Sequence, residues 1–343
     1  MISLFFIIHF LFLLLSLRFL AFAYAAQTAN VTVALDGTGN FRSIGEAVSA
    51  IPNNSESCFY IYVKKGIYKE YVYFGPEKRN ITLFEDGINQ TIITSDRSNH
   101  SGYDIKNSAA LNINSKSFLV KDISIINTAG PYAGQAVALR TAGDYIACHR
   151  CSIEGYQDTL NAHFGNNQFF FDCHIYGTID FIFGYAAVVI QNSYIHVRLP
   201  REGQQNVITA DGRYQEMNNT AIVIHNCSII PTPELKSKSH VKTYLGRPWK
   251  KLSRTIIMES YLDGFIDPQG WIEFDNQSDI TALYYAEYHN YGQGSSTSGR
   301  VKWPGYHILD NPNDVQSFTV ENFIKGSEWL PKLEIPYIPG LVR

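Results

Sequence analysis

Cys151-Ser152-Ile153-Glu154-Gly155-Tyr156-Gln157-Asp158 and Cys173-His174-Ile175-Tyr176-Gly177-Thr178-Ile179-Asp180 are two passes over one pattern. Cys151 and Cys173, Ile153 and Ile175, Gly155 and Gly177, and Asp158 and Asp180 all differ by 22 residues, as do Gln135 and Gln157. The pattern extends outward in both directions. Asp122-Ile123-Ser124-Ile125 precedes Arg150-Cys151-Ser152-Ile153 and Asp172-Cys173-His174-Ile175. Asn192-Ser193-Tyr194-Ile195 and Asn226-Cys227-Ser228-Ile229 follow, with Glu259-Ser260-Tyr261-Leu262 a fainter copy. Each copy alternates as a strand with one buried face requires. The starts are 28, 22, 20, 34 and 33 residues apart. A fixed β unit with variable insertions reads as a solenoid. No stretch sustains a 3.6-residue period in good helix formers, which excludes a helical solenoid. Short strands at this spacing also suit a sandwich, but a sandwich gives no reason for a constant offset. In a parallel β-helix, residues one coil apart stack about 4.8 Å from each other. The expectation is therefore an all-β, single-stranded solenoid. It sets Asp158 beside Asp180 and Gln135 beside Gln157. It also brings Cys151 within bridging reach of Cys173, either as a disulfide or as two thiols in contact.

Composition agrees. The chain has 343 residues, 28 Lys+Arg against 31 Asp+Glu, and a formal net charge of −3. With 45% hydrophobic residues there is ample material for a core, which excludes a disordered chain. The absence of a basic excess argues against nucleic-acid binding. Twenty-two Tyr and 21 Phe suit half-buried strands. Five cysteines leave at least one thiol free or paired between chains. Ile2 to Leu17 is almost wholly apolar and is followed by Ala21-Phe22-Ala23-Tyr24-Ala25-Ala26. This reads as a secretory signal over residues 1–25. The remaining 26–343 has no linker, so it is expected to be one domain, with no membrane attachment after cleavage. Sequons begin at Asn30, Asn53, Asn80, Asn89, Asn99, Asn218, Asn226 and Asn276, in keeping with a secreted glycoprotein.

Two stacked carboxyls cannot both ionise cheaply, so one holds its proton and the other serves as base or nucleophile. Asp180 is embedded in Thr178-Ile179-Asp180-Phe181-Ile182-Phe183-Gly184 and needs a partner against its desolvation. Leu245-Gly246-Arg247-Pro248-Trp249 offers an Arg and a Trp on one rigid turn.

These residues resemble the plant pectin methylesterases (pectinesterases) over nearly the whole mature chain. The likeness starts at Asp36-Gly37-Thr38-Gly39-Asn40-Phe41 and Gly66-Ile67-Tyr68-Lys69-Glu70. It runs through Asn127-Thr128-Ala129-Gly130-Pro131 and Gln135-Ala136-Val137-Ala138-Leu139-Arg140. It takes in both Asp motifs, Leu245 to Trp249 and Asp267-Pro268-Gln269-Gly270-Trp271. It closes with Trp329-Leu330-Pro331 and Pro336-Tyr337. The resemblance implies a right-handed parallel β-helix and an extracellular, cell-wall esterase acting on methyl-esterified galacturonan. By the same resemblance, Asp180 matches the nucleophile and Asp158 the general acid and base. Gln135 and Gln157 match the amides that hold the oxyanion. Arg247 matches the cation that directs Asp180, and Trp249 the wall against which the sugar packs. Tyr156, Phe181 and Trp271 are candidates for the groove lining. Carboxylate nucleophiles need no metal, so no cofactor is expected.

The chain also departs from the family pattern. Asn161-Ala162-His163-Phe164-Gly165-Asn166-Asn167-Gln168 replaces a stretch that usually has Tyr after the Leu and Arg before the Gln, and it is one residue longer. Tyr185 stands where Asn is usual, Asp211 where Gln is usual, and Ile105 where Thr is common. The inhibitor-like region of many plant members is not expected, so signal removal should suffice for maturation. The expected partners are pectin and a proteinaceous inhibitor, with the enzyme a monomer. The competing readings are a β-helix enzyme that cleaves the pectin chain and a catalytically weak pectin-binding protein. Hydrolytic cleavage would also use paired carboxylates. A lyase would want a carboxylate cluster for Ca²⁺, and the sequence offers none.

Overall fold

The computed structural model describes residues 29–85, 87–215, 219–238, 240–275 and 279–342. The expected signal at 1–25 and the sequons at Asn218 and Asn276 lie outside the described residues. Among the described residues the strands form three parallel sheets of eleven, eight and seven strands. A middle coil such as Ile146–His149, Ser152–Glu154 and Leu160–Phe164 gives one strand to each in turn. The architecture is a parallel β-helix.

The repeat maps directly onto this geometry. Its fourth position stacks into one column: Ile125, Ile153, Ile175, Ile195 and Ile229 pair in register and end on Leu262. All six are fully buried. Its first position is a corner from the eleven-strand into the eight-strand sheet. Asp122, Arg150, Asp172, Asn192, Asn226 and Glu259 take φ of +65, +50, +54, +54, +52 and +51°. Asn and Asp tolerate this left-handed conformation better than other residues with a Cβ. Arg150 is less suited to it, and its guanidinium grips Asp122, one coil earlier, through Nε and Nη2 at 2.6 Å each.

The second position of the repeat is a narrow site inside the core. Cys151 and Cys173 stack there as expected, but no bridge forms, and all five cysteines are free thiols. Each sulfur is already satisfied: Cys151 Sγ donates to the Val120 carbonyl and Cys173 Sγ to that of Cys148, both at 3.5 Å. Ser193 and Ser260 occupy the same column, their hydroxyls accepting the N–H groups of Cys173 and Cys227 at 3.0 Å. After Ile123 the column holds only Cys and Ser, small side chains without a disulfide.

One end and one face are covered. The helix Ile44–Ala50 carries a capping box between Ser43 and Glu46 and buries Ile44 and Ala47 against the first coils. The short helices Val320–Ile324 and Gly326–Trp329 lie on the outer face of the eleven-strand sheet. Their Val320, Phe323, Ile324 and Trp329 pack on Phe169, Val189, Val223 and Ile256. No helix among the described residues is long and apolar enough to cross a membrane.

Candidate active site

Asp158 and Asp180 occupy the corner where the chain passes from the eight-strand into the seven-strand sheet. Both are left-handed, with φ of +64 and +49°. The pairing of Leu160 with Ile182 puts them on adjacent coils, and the Asp158 N–H donates to the Ile179 carbonyl at 3.0 Å. The strand Ile179–Gly184 gains one residue on its neighbour. Ile179 pairs with Val207 and Ile182 with Thr209, so Asp180-Phe181 forms a bulge. Bulges re-aim side chains; here the carboxyl turns outward and Phe181 inward.

Arg247 meets Asp180 with two parallel bonds, Nε to Oδ1 at 2.8 Å and Nη2 to Oδ2 at 2.6 Å. The backbone N–H of Arg247 is fixed on the Thr209 carbonyl at 2.9 Å. Its guanidinium lies over the Phe274 ring, 4.4 Å from the centroid. Phe274 carried no sequence signal, because nothing in the chain order ties it to Arg247. The two carboxyls are 5% and 8% exposed. Burial and the Asp180 charge push Asp158 well above the usual carboxyl range, against the opposing pull of Arg247 and a hydrogen bond from Gln135. Burial also pushes Asp180 up, but the Arg247 hydrogen bonds and charge draw it back. Both carboxyls are therefore raised, Asp158 by burial and a like charge and Asp180 by burial against the Arg247 cation, so the proton of the pair is favoured on Asp158.

The amides follow the expected stacking. The Ala136 N–H donates to the Gln157 carbonyl at 3.1 Å, so Gln135 and Gln157 share a register, and both side chains are half-buried. The coil then loses a residue before Leu139 pairs with Leu160. Trp249 is half-buried beside Phe183 and Tyr185, with centroids at 6.2 and 5.7 Å. Ile105 and Trp249 both pack on Ala109, Val137, Phe183 and Ala210. Tyr156 is half-buried under the Arg198 guanidinium, which bonds Glu154 and the Gly155 carbonyl at 3.0 Å each. The longer segment seen in the sequence appears as a bulge at His163, between Ala162 and Phe164. His163 packs on Tyr185 at 4.8 Å.

Two expected lining residues do not reach the surface. Phe181 is 0% exposed and belongs to the central core, because the bulge at Asp180 turns it inward. Trp271 is 1% exposed. Its Nε1 donates to Glu287 Oε1 at 3.2 Å, and its ring packs on Tyr285. Glu287 in turn holds Arg300 in a buried ion pair, so Trp271 is sealed under that network.

The arrangement joins a carboxyl aimed by a guanidinium, a second carboxyl one coil away whose protonated form is favoured, and neutral amides beside the latter. Such a set can attack an acyl carbon, hold the oxyanion and protonate a leaving group. A family model described as Pectinesterase matches residues 30–327. The chain is 48% identical over 325 residues to the probable pectinesterase/pectinesterase inhibitor 20 of Arabidopsis thaliana, covering 93% of this chain and 58% of that protein. It is 48% identical over 314 residues to pectinesterase 2 of Citrus sinensis, covering 91% and 61%. The chain thus spans a little over half the length of these curated relatives. The solved pectin methylesterase from carrot matches with a TM-score of 0.90 and 44% identity, covering 91% of this chain and 98% of that one.

Proposed function

This chain belongs to the pectinesterase family, and from that premise we propose that it hydrolyses the methyl esters of cell-wall homogalacturonan to galacturonate and methanol. The observation that carries the reading is the two-bond grip of Arg247 on Asp180 beside the protonated Asp158. An Asp180 oxygen attacks the ester carbonyl, and the charge that develops on the carbonyl oxygen is met by the amides of Gln135 and Gln157. As the tetrahedral adduct collapses, Asp158 gives its proton to the departing methoxide, and methanol leaves. The acyl group is then an anhydride on Asp180. Asp158, now ionised, takes a proton from water. The hydroxide adds to the sugar acyl carbon, and the Asp180 carboxylate leaves unchanged. Trp249 offers a face for the sugar ring, and Tyr156 stands at the rim.

The protein acts outside the cell, as an apolar leader and eight sequons suggest. Several curated relatives carry pectinesterase inhibitor in their names, and a proteinaceous inhibitor is the partner we propose. The deciding experiment is methanol release from highly methylated pectin by the purified protein, run beside a reducing-end assay. Methanol without new reducing ends supports the esterase. New reducing ends would favour chain cleavage, and neither product would favour a binding protein.

A further inference from the structure

Asp211 ends the strand Asn206–Asp211 of the seven-strand sheet and is completely buried. Four bonds tie this strand end to the turn that carries Arg247 and Trp249. The Arg247 N–H donates to the Thr209 carbonyl at 2.9 Å, and the Trp249 N–H to the Asp211 carbonyl at 3.2 Å. The Ser253 hydroxyl donates to the same Asp211 carbonyl. The Arg254 N–H donates to Asp211 Oδ1 at 2.8 Å, and this oxygen also accepts the Arg213 N–H at 3.0 Å. The side chain therefore closes the far end of the turn, while its backbone holds the middle. Gly212 next to it packs so tightly that an added Cβ would lie 2.7 Å from the rings of Trp249 and Tyr185.

The second oxygen, Oδ2, is buried and has no hydrogen-bond partner. Among the described residues no ion pair includes Asp211, although Arg254 and Arg213 contribute their charges from a distance. The Arg254 guanidinium points elsewhere, to the Thr220 carbonyl and Asn219 Oδ1, both at 2.9 Å. The other titratable group facing this space is Tyr285, on whose hydroxyl Asp211 weighs more than any other charge. The Tyr285 hydroxyl in turn leans on the side chains of Ser253 and Thr255. A buried carboxylate would leave its charge and one whole oxygen uncompensated. A carboxylic acid instead brings no charge into the interior and keeps Oδ1 as acceptor for both N–H groups. The neutral Gln usual at this position in the family pattern has the same donor and acceptor character.

We propose that Asp211 is a positioning residue whose protonated carboxyl locks the turn bearing Arg247 and Trp249, and that loss of this proton loosens the turn and the grip of Arg247 on Asp180. Burial pushes the Asp211 carboxyl up to about 7, with the N–H bonds from Arg254 and Arg213 opposing. The lock is thus closed in acid and opens as the pH passes neutrality. The catalytic part of this inference rests on the esterase reading above; the protonation part does not.

The test compares the wild type with Asp211→Asn and Asp211→Gln, which keep a donor and an acceptor but cannot ionise. Melting temperature is measured from pH 4 to pH 8, and kcat for methanol release over the same range. The two melting curves should converge near pH 4, and the wild type should fall below the variants as the pH rises. At pH 8 about a tenth of Asp211 would remain protonated. Wild-type kcat should then be about tenfold lower than that of Asp211→Asn, with the two equal at pH 5. Parallel melting curves would overturn the proposal. So would identical pH–rate profiles, or failure of both variants to fold, since a neutral isostere should meet every bond the acid makes. A wild type that melts as described but releases no methanol at any pH would instead sink the esterase reading.

Discussion

A carboxyl buried one coil from another would keep its proton, and Asp180 differs from Asp158 chiefly in the guanidinium that meets it. A guanidinium fixes both carboxylate oxygens, whereas an ammonium holds them as a mobile point charge. Arg247→Lys should therefore cost at least about tenfold in kcat, roughly 1.4 kcal/mol of barrier, at a nearly unchanged melting temperature. Normal turnover by the folded variant would mean that the neighbouring amides aim Asp180. Asp158 carries the opposite kind of cost. Its carboxyl is raised in the folded state above the 3.8 of the free side chain, so the folded protein holds a proton that the unfolded chain releases. Stability from this group is complete below about pH 4 and is lost as the pH rises toward the folded-state value. Asp158→Asn removes that dependence. It should raise the melting temperature more at pH 7 than at pH 4, while abolishing methanol release. An equal shift at both pH values would show that Asp158 is not the protonated member.

At the scale of the element, the decisive device is one extra residue in the strand Ile179–Gly184. The bulge turns the Asp180 carboxyl toward Arg247, and it drops Phe181 into the core. The approach is close: a Cβ on Gly177 would fall 2.2 Å from the Cβ of Phe181. Phe181 therefore belongs to stability rather than to substrate contact. Phe181→Ala should cost about 3–5 kcal/mol of folding free energy and leave KM for pectin unchanged in the fraction that folds. A raised KM at unchanged melting temperature would return Phe181 to the groove.

In the whole molecule, the outer face of the eleven-strand sheet is covered, whereas strands of the eight-strand sheet carry exposed side chains such as Ile67 and Tyr194. The C-terminal segment supplies that cover. Trp329 caps it, its Nε1 donating to the Ile324 carbonyl at 3.0 Å and its ring edge-on to Tyr145. Further along, Gln191 makes two bonds to Ile338, at 2.9 and 2.8 Å, and the Val342 N–H reaches Glu259 at 2.7 Å. This strap is remote in sequence from the aspartates and meets the turn holding Arg247 only at its far end, where Phe318 and Phe323 lie under the Arg254 guanidinium. Trp329→Ala should lower stability by about 3–5 kcal/mol and expose apolar surface to a hydrophobic dye. The kcat of the protein that remains folded should not change. A lowered kcat would link the strap to the site.

The chain order alone carried the coil register, because a parallel β-helix converts a constant offset in sequence into a constant distance in space. Asp158, Asp180, Gln135 and Gln157 were legible for that reason, as were the isoleucine column and the stacked cysteines. Arg247 and Trp249 were legible through the motif they share. The sequence could not say whether two stacked cysteines would bond, because that depends on whether carbonyls such as those of Val120 and Cys148 already satisfy the sulfurs. Nor could it say that Phe181 and Trp271 face inward. One bulge inverts the alternation that a strand pattern assumes, and one buried Glu287 draws the indole under the surface. Phe274 beneath Arg247 and the unpartnered oxygen of Asp211 belong to the same class. Burial, unlike register, is a sum over every segment that folds back on a residue, and only the assembled coils supply that sum.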